Sequence, residues 1–304
     1  MLRSILIPLD GSQLAERALA YATAISVATG AQLILMRAID SNDTRGTAAR
    51  YLFDTAEELR ARGFVCQTVT PCGPAEAWIT AEAGVGTVDL VTMTTHGRSG
   101  PNRWLFGSIA ESVVAHSPVP VLVERAWQPI RREPLLADQP KILLPLDGSA
   151  LAESAIDPAA KLAEDLGGEL VLLRVEHYAK DVLRDQYGRT VAYLDELEDR
   201  TQQDAEDYLA EVADGVRARW PGVPIQTDVQ FGVPAACIAQ AATTTGAALV
   251  FMATHGRTGF RRAVMGSVAG QVLELGSTPL VLLRPAATAK QDSDLNLLAA
   301  RSRL

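Results

Sequence analysis

Thr95-His96-Gly97-Arg98 recurs as Thr254-His255-Gly256-Arg257, and in each copy nine residues separate the glycine from a Gly-Ser pair, at Gly107-Ser108 and Gly266-Ser267. Upstream of each copy stands the same strand-and-turn signal, Ile7-Pro8-Leu9-Asp10-Gly11-Ser12 and Leu144-Pro145-Leu146-Asp147-Gly148-Ser149. One chain therefore carries the same small domain twice, with its glycine-rich loops at matching places. Loops of Gly, Ser and backbone N–H groups that open helices are suited to anions, so the repeat points to two phosphate-binding sites.

Outward from these loops, short apolar runs alternate with longer stretches of helical spacing. In the first copy the pattern predicts strands at residues 4–8, 32–39, 64–69, 90–93 and 119–124. Helices are predicted at 12–29, 47–62, 74–84 and 109–116, the first capped by Ser12 and stopped by Gly30. The second copy predicts strands at 141–145, 169–175, 225–230, 248–252 and 280–284, with helices at 149–166, 191–219, 234–245 and after Ser267. Strictly alternating strands and helices imply right-handed crossovers and a parallel sheet. The fold class is α/β, two tandem Rossmann-like or flavodoxin-like domains of five parallel strands each. The expected boundaries are 1–126, a proline-containing linker at 127–139, 140–285, and a polar tail at 286–304. The last strand of each domain would leave an apolar edge, so the two are expected to pair across an internal pseudo-twofold.

The copies are offset by 137 residues at the aspartate turn but by 159 at the glycine loop, so the second is 22 residues longer. Most of the excess falls in 178–203, after the second strand. Its apolar residues, among them Tyr187, Tyr193 and Leu197, are expected to form a partial lid over the second site, to reach a partner chain, or simply to dock on their own domain.

The 304 residues carry a formal charge of −8, which excludes DNA or RNA as a main partner because phosphate backbones require clustered Lys and Arg. One small basic group stands out, Arg257, Arg261 and Arg262, echoed by Arg98 and Arg103; it is either solvated loop charge or help in holding a small phosphate ligand. Cys66, Cys72 and Cys237 have no metal-ligand spacing and form no even set, so they read as free thiols. With no long apolar run and no leader pattern, the expectation is a cytoplasmic protein without a membrane partner.

In an open parallel sheet, ligands bind beyond the carboxyl ends of the strands where strand order reverses. Asp10 and Asp147 end the first strand of each copy, and His96-Gly97 and His255-Gly256 follow the fourth. Gly97 and Gly256 admit close backbone approach to a phosphate. Gly107-Ser108 and Gly266-Ser267 would present N–H groups and a hydroxyl at a helix N-terminus. An ionised aspartate only accepts hydrogen bonds, so it suits a nucleoside hydroxyl or amino group. Other readings stand beside these. Ser108-x-x-Glu111 is a capping box, although Gly270 replaces the glutamate in the second copy. Asp-Gly is a turn signal in its own right, and the two histidines can be loop hydrogen-bonders. No paired carboxylates, activated nucleophile or loop lysine is present for fast catalysis.

Pro-Leu-Asp-Gly-Ser, Gly73-Pro74-Ala75-Glu76, Met252 to Gly259, Gly266 to Ala269 and Ser117-Pro118-Val119-Pro120-Val121 together resemble the universal stress protein family, over both copies. The resemblance implies a sheet order of 3-2-1-4-5 and, through Gly-x2-Gly-x9-Gly-(Ser/Thr), the ATP-binding subclass. Here the first glycine is replaced by Thr94 in one copy and Ala253 in the other. It further implies that Pro8, Leu9 and Asp10, with Pro145, Leu146 and Asp147, meet the adenosine, and that Ala38 and Val175 offer backbone to the adenine. Gly97, Arg98, Gly107, Ser108 and Ile109, and Gly256, Arg257, Gly266, Ser267 and Val268, would hold the phosphates. The expected cofactor is ATP, with or without magnesium. The expected assembly is an internal pseudo-dimer, with a homodimer as a further level, acting on an unnamed signalling partner in a stress response. The alternatives are a slow ATPase or adenylyl-transferring enzyme, and an interaction protein that binds no nucleotide.

Overall fold

A computed structural model describes residues 1–39, 45–95, 107–177, 194–254 and 266–285. The first half runs β1 (Ser4–Pro8), α1 (Gln13–Glu16), α2 (Ala18–Thr29), β2 (Gln32–Met36), α3 (Arg45–Ala61), β3 (Cys66–Val69), α4 (Ala75–Gly84), β4 (Leu90–Thr94), α5 (Ser108–His116) and β5 (Val121–Glu124). A 3-10 turn at Glu133–Leu136 lies in the linker. The second half repeats the order as β6 (Lys141–Leu146), α6 (Ala150–Glu153), α7 (Ile156–Asp165), β7 (Glu169–Glu176), α8 (Leu194–Arg219), β8 (Ile225–Phe231), α9 (Pro234–Thr244), β9 (Leu249–Ala253), α10 (Ser267–Leu275) and β10 (Leu280–Leu283).

Each half orders its strands 3-2-1-4-5, as expected, and the two join into one ten-stranded sheet, β3-β2-β1-β4-β5-β10-β9-β6-β7-β8. The strands are apolar on both faces because helices cover both. Ile5, Ile7, Leu33 and Leu35 face one layer, where Ala18, Tyr21, Leu52 and Ala56 of α2 and α3 meet them. Leu6, Ile34 and Met36 face the other, against Ile79 and Ala83 of α4 and Val113 of α5. Alternation along a single strand thus assigns each residue to one of two cores.

The expected pairing of the last strands is present. β5 and β10 run antiparallel in the register Val123↔Leu280, Leu122↔Val281 and Val121↔Leu282. Leu122 and Val281 belong to one core and Val121, Val123, Leu280 and Leu282 to the other, so both cores continue across the seam. Arg125 Nη1 reaches over it to the Glu274 carbonyl at 2.5 Å, and Arg131 Nη1 to Ser277 Oγ at 2.9 Å.

The linker also grips the first half alone. The Arg131 N–H donates to Tyr21 Oη at 2.9 Å, and Arg17 donates to the Gln128 carbonyl and to the Glu124 carboxylate. Burial pushes the Tyr21 phenol up to about 12. Ser154 and Pro158 occupy the positions of Arg17 and Tyr21 in the second half, so this clamp is not duplicated.

Some boundaries differ from expectation. The helix predicted over 12–29 is interrupted at Arg17, whose N–H turns back to Leu14 at 3.3 Å in a 3-10 manner, and its counterpart breaks at Ser154 and Ala155. β2 ends at Met36 rather than residue 39, although Ile39 returns as an isolated bridge to Cys72. Of the extra segment, residues 194–203 are the first turns of the 26-residue α8, which exceeds the 17-residue α3. Residues 178–193, on which the lid expectation mostly falls, lie outside the described residues. No helix among the described residues is long and apolar enough to cross a membrane.

Candidate functional site

β1 pairs with β2 on one side and β4 on the other, so the order reverses between β1 and β4; in the second half it reverses between β6 and β9. The registers Ile5↔Leu90 and Leu6↔Val91 bring the ends of β1 and β4 to the same rim, as Ile142↔Leu249 and Leu143↔Val250 do for β6 and β9. The turns after β1 and β6 and the chain leaving β4 and β9 therefore open onto one crevice in each half.

At the first turn, Pro8 is half-buried and Leu9 buried, its N–H bonded to the Met36 carbonyl at 2.7 Å. Asp10 Oδ1 accepts the Ser12 N–H at 2.9 Å, and Asp147 Oδ1 accepts that of Ser149 at the same distance. Gly11 and Gly148, at φ 83° and 77°, supply the left-handed step that closes each turn. Ser12 and Ser149 then cap the next helices by accepting from Ala15 and Ala152 at 3.2 and 3.1 Å. Pro145 and Leu146 repeat the burial of Pro8 and Leu9. The Ser12 or Ser149 N–H bond takes one acceptor site of a carboxylate that has about four. Turn and ligand roles for these aspartates are thus compatible.

Burial alone would raise the Asp147 carboxyl. The Ser149 hydroxyl and N–H, its own N–H and the Arg174 charge outweigh that effect, and the carboxyl lies below its ordinary value.

Ala38 and Val175 lie at the same rim, both half-buried. The last β6–β7 rung is Leu146↔Arg174, and the last β1–β2 rung is Pro8↔Met36. Each residue thus stands just past the point where the first strand stops pairing.

On the far side of the crevice, the Thr95 N–H bonds to the Glu124 carbonyl at 2.9 Å and the Gly107 N–H to the Thr95 carbonyl at 2.7 Å. The second contact ties the two ends of the glycine loop together. Thr254 N–H bonds likewise to Leu283 at 2.8 Å. Within the loops, His96, Gly97, Arg98 and Arg103, with His255, Gly256, Arg257, Arg261 and Arg262, lie outside the described residues.

The capping box assigned to Ser108 does not form. Gly107 is the N-cap, at φ −70° and ψ 153°, and Ser108 is already the first helical residue. Glu111 N–H bonds to the Gly107 carbonyl at 3.0 Å, as Gly270 N–H does to Gly266. A one-residue shift in the cap changes the job of the serine: Ser108 and Ser267 are exposed at the helix tip beside N–H groups that no intrahelical carbonyl reaches. Ile109 is also exposed, and Val268 half-buried.

A second cluster at this rim was not anticipated. Tyr51 Oη of α3 donates to Glu16 Oε1 of α1 at 2.8 Å, and the Arg37 guanidinium, one residue past β2, lies 5.3 Å from the Tyr51 ring centroid. The second half repeats it: Tyr208 Oη donates to Glu153 Oε1 at 3.0 Å, and Arg174 lies 5.4 Å from the Tyr208 centroid. Burial first, and then the glutamate, push both phenols up from their ordinary value. Arg174 Nε is paired with Glu176 Oε1 at 2.6 Å, where the first half has Ile39.

A doubled βα sheet with a carboxylate turn and a Gly-Ser helix tip at each switch point defines a tandem, doubly wound α/β protein. A model of the universal stress protein family matches residues 1–125 and, separately, 140–284. The chain belongs to the universal stress protein family. A universal stress protein of Mycobacterium tuberculosis strain H37Rv is 31% identical over 197 residues, 64% of this chain and 62% of the relative; the match thus spans less than two thirds of that relative's length. One of Bacillus subtilis is 26% identical over 147 residues, 47% of this chain and 98% of the relative. Among solved structures, a putative universal stress protein of Pseudomonas aeruginosa superposes with a TM-score of 0.67 at 21% identity, covering 97% of each chain. One from Archaeoglobus fulgidus superposes at 0.64 and 18% identity, covering 93% of this chain and 98% of that one. At these identities the likeness of the structures is one of fold.

Proposed function

We propose that each half binds an adenine nucleotide, ATP in the first instance, and that the protein acts as a nucleotide-responsive regulator in a stress response. The observation that carries this reading is the same pair of features at both switch points: an aspartate turn on one side and an exposed Gly-Ser helix tip on the other. Asp10 and Asp147, with Pro8, Leu9, Pro145 and Leu146 beneath them, take the nucleoside. Ala38 and Val175 lend backbone groups to the base. Gly107, Ser108 and Ile109, and Gly266, Ser267 and Val268, supply N–H groups and hydroxyls to phosphate oxygens. Gly97 with Arg98, and Gly256 with Arg257, complete that cradle.

The residues present suit an anion at the helix tip and a hydrogen-bond donor at the carboxylate. Among the described residues no three His, Cys, Asp or Glu side chains gather to hold a metal, so magnesium would arrive on the phosphates. A second reading, an interaction protein without nucleotide, draws on one observation. Thr94, buried and β-branched, stands where the motif has glycine, whereas the second half has the smaller Ala253.

Mass spectrometry of the small molecules released from purified protein tests the reading. Recovered ATP supports it, recovered ADP points to turnover, and no nucleotide favours the interaction protein. Calorimetry then ranks the halves. Valine at a glycine that must admit a phosphate costs about 1–3 kcal/mol, about tenfold or more in affinity. Gly256→Val is expected to lose more ATP binding than Gly97→Val; the opposite order would overturn the ranking.

A further inference from the structure

We propose that Arg174 with Tyr208, and Arg37 with Tyr51 in the first half, are positioning residues that orient the aspartate of the adjacent turn toward its ligand. The proposal rests on the reading of Asp147 and Asp10 as ligand contacts.

The contacts form a closed circuit. In the second half the Asp147-Gly148-Ser149 turn leads directly into α6, which Ser149 caps. α6 carries Glu153, which accepts the Tyr208 hydroxyl of α8 at 3.0 Å. The Tyr208 ring supports the Arg174 guanidinium, two residues before the end of β7. Arg174 Nη1 returns to the turn, only 3.0 Å from where a Cβ on Gly148 would stand. Its Nε is tied to Glu176, so the Nη end is the part directed at the turn. The first half repeats the glutamate–tyrosine bond and the arginine–tyrosine stacking in Glu16, Tyr51 and Arg37, with distances that agree to 0.2 Å or better.

Two features argue against mere packing. The halves have diverged close by, with Arg17 replaced by Ser154, Tyr21 by Pro158 and Ile39 by Glu176, yet the Glu–Tyr–Arg set is kept. The cluster also stands at the sheet rim, where Arg37 is buried and Arg174, Tyr51 and Tyr208 are half-buried. Apolar side chains would cover such a place without desolvating a guanidinium. What the set supplies is a fixed positive charge beside a carboxylate: Arg174 favours ionised Asp147, and the Asp10 and Asp147 charges are felt at Tyr51 and Tyr208. In the second half the Arg174 charge adds to the Ser149 bonds that hold the Asp147 carboxylate ionised.

The test uses the full chain with two mild variants, Tyr208→Phe, which keeps the ring, and Arg174→Met, which keeps the aliphatic stem. The first measurement is the NMR titration of the Asp147 carboxyl carbon without nucleotide. The groups that act on it are Ser149 of its own turn, Arg174 from β7, which pairs with Glu176, and Tyr208 from α8, which pairs with Glu153. Its pKa is expected to rise in both variants. The second is ATP calorimetry in a Gly97→Val background, which leaves the second half to be read. Tyr208→Phe is expected to weaken binding about fivefold, the scale of one ordinary hydrogen bond. It is expected to add nothing to Asp147→Asn in the double variant.

An unchanged Asp147 titration in both variants, or losses that add fully in the double variant, would overturn the proposal. If the wild-type chain binds no ATP, the ligand reading fails by itself. A raised Asp147 pKa in the variants would then still support the circuit as what holds the carboxylate.

Discussion

Val281→Asp will leave little folded protein at 25 °C. Val281 is fully buried, paired with Leu122 across the seam and with Phe251 on its other side. A carboxylate placed there meets Leu and Phe side chains and no cation. Leaving a charge buried and unpaired costs several kcal/mol, against a total stability on the order of 5–15 kcal/mol for a domain. Val281→Ala removes only two methyl groups and is expected to cost about 1–3 kcal/mol, which separates the charge effect from simple loss of contact. Urea unfolding followed by circular dichroism measures both. A midpoint for Val281→Asp equal to that of Val281→Ala would show that the seam is not a sealed core. Residues 1–126 and 140–285 expressed separately are expected to dimerise or precipitate, since each would expose a strand whose apolar residues are now covered. Two stable monomers would contradict the continuity of the cores.

The second large effect is in pH. Glu124 is only 3% exposed and paired with Arg17, yet its Oε2 and Arg17 Nε have no hydrogen-bond partner among the described residues. Burial pushes the carboxyl up to about 7, with Arg17 offsetting part of the rise. An acid whose pKa is higher folded than unfolded binds its proton more tightly in the native state. Its contribution is therefore full below about pH 4.5 and is lost as pH rises to about 7, by about 3 kcal/mol. Glu124→Gln removes that titration. The stability of the variant relative to wild type is expected to increase across this window, with Tyr21, Arg17 and Glu133 unchanged as the surrounding charges. If the two stability curves run parallel from pH 4.5 to 7, Glu124 is ionised throughout and the assignment is wrong.

The layered architecture was legible because it is written in local patterns. Runs such as Ile5-Leu6-Ile7, which leads to Asp10-Gly11, and Leu33-Ile34-Leu35-Met36, which follows Gly30, can hardly be anything but buried parallel strands. The repeat of Asp-Gly-Ser and Gly-Ser at fixed places then located the two rims. The capping-box alternative for Ser108 could not be decided from sequence, because a capping box and a first-turn serine read alike; the backbone dihedrals, extended at Gly107, tell them apart. The Glu–Tyr–Arg cluster was missed for a different reason. Its members are separated by up to 35 residues in the first half and 55 in the second, on different elements, and an arginine near a strand end resembles ordinary rim charge. A signal did exist. Glu16 and Glu153, like Arg37 and Arg174, are related by the same offset of 137 as the aspartates, and Tyr51 and Tyr208 by 157, because 20 of the 22 extra residues fall between Arg174 and Tyr208.

Every described strand in one half runs parallel to its neighbours there, and among the described strands the antiparallel contact is β5 with β10. The carboxyl ends of the two sets therefore point in opposite directions, and the crevices open on opposite edges of the molecule. No single ligand can bridge them, and two bound anions would repel each other little through the full length of the sheet. A binding partner that recognised an occupied rim could grip only one end of the molecule. On the proposed reading the two sites would therefore fill independently, each presenting its ligand at its own end of the sheet.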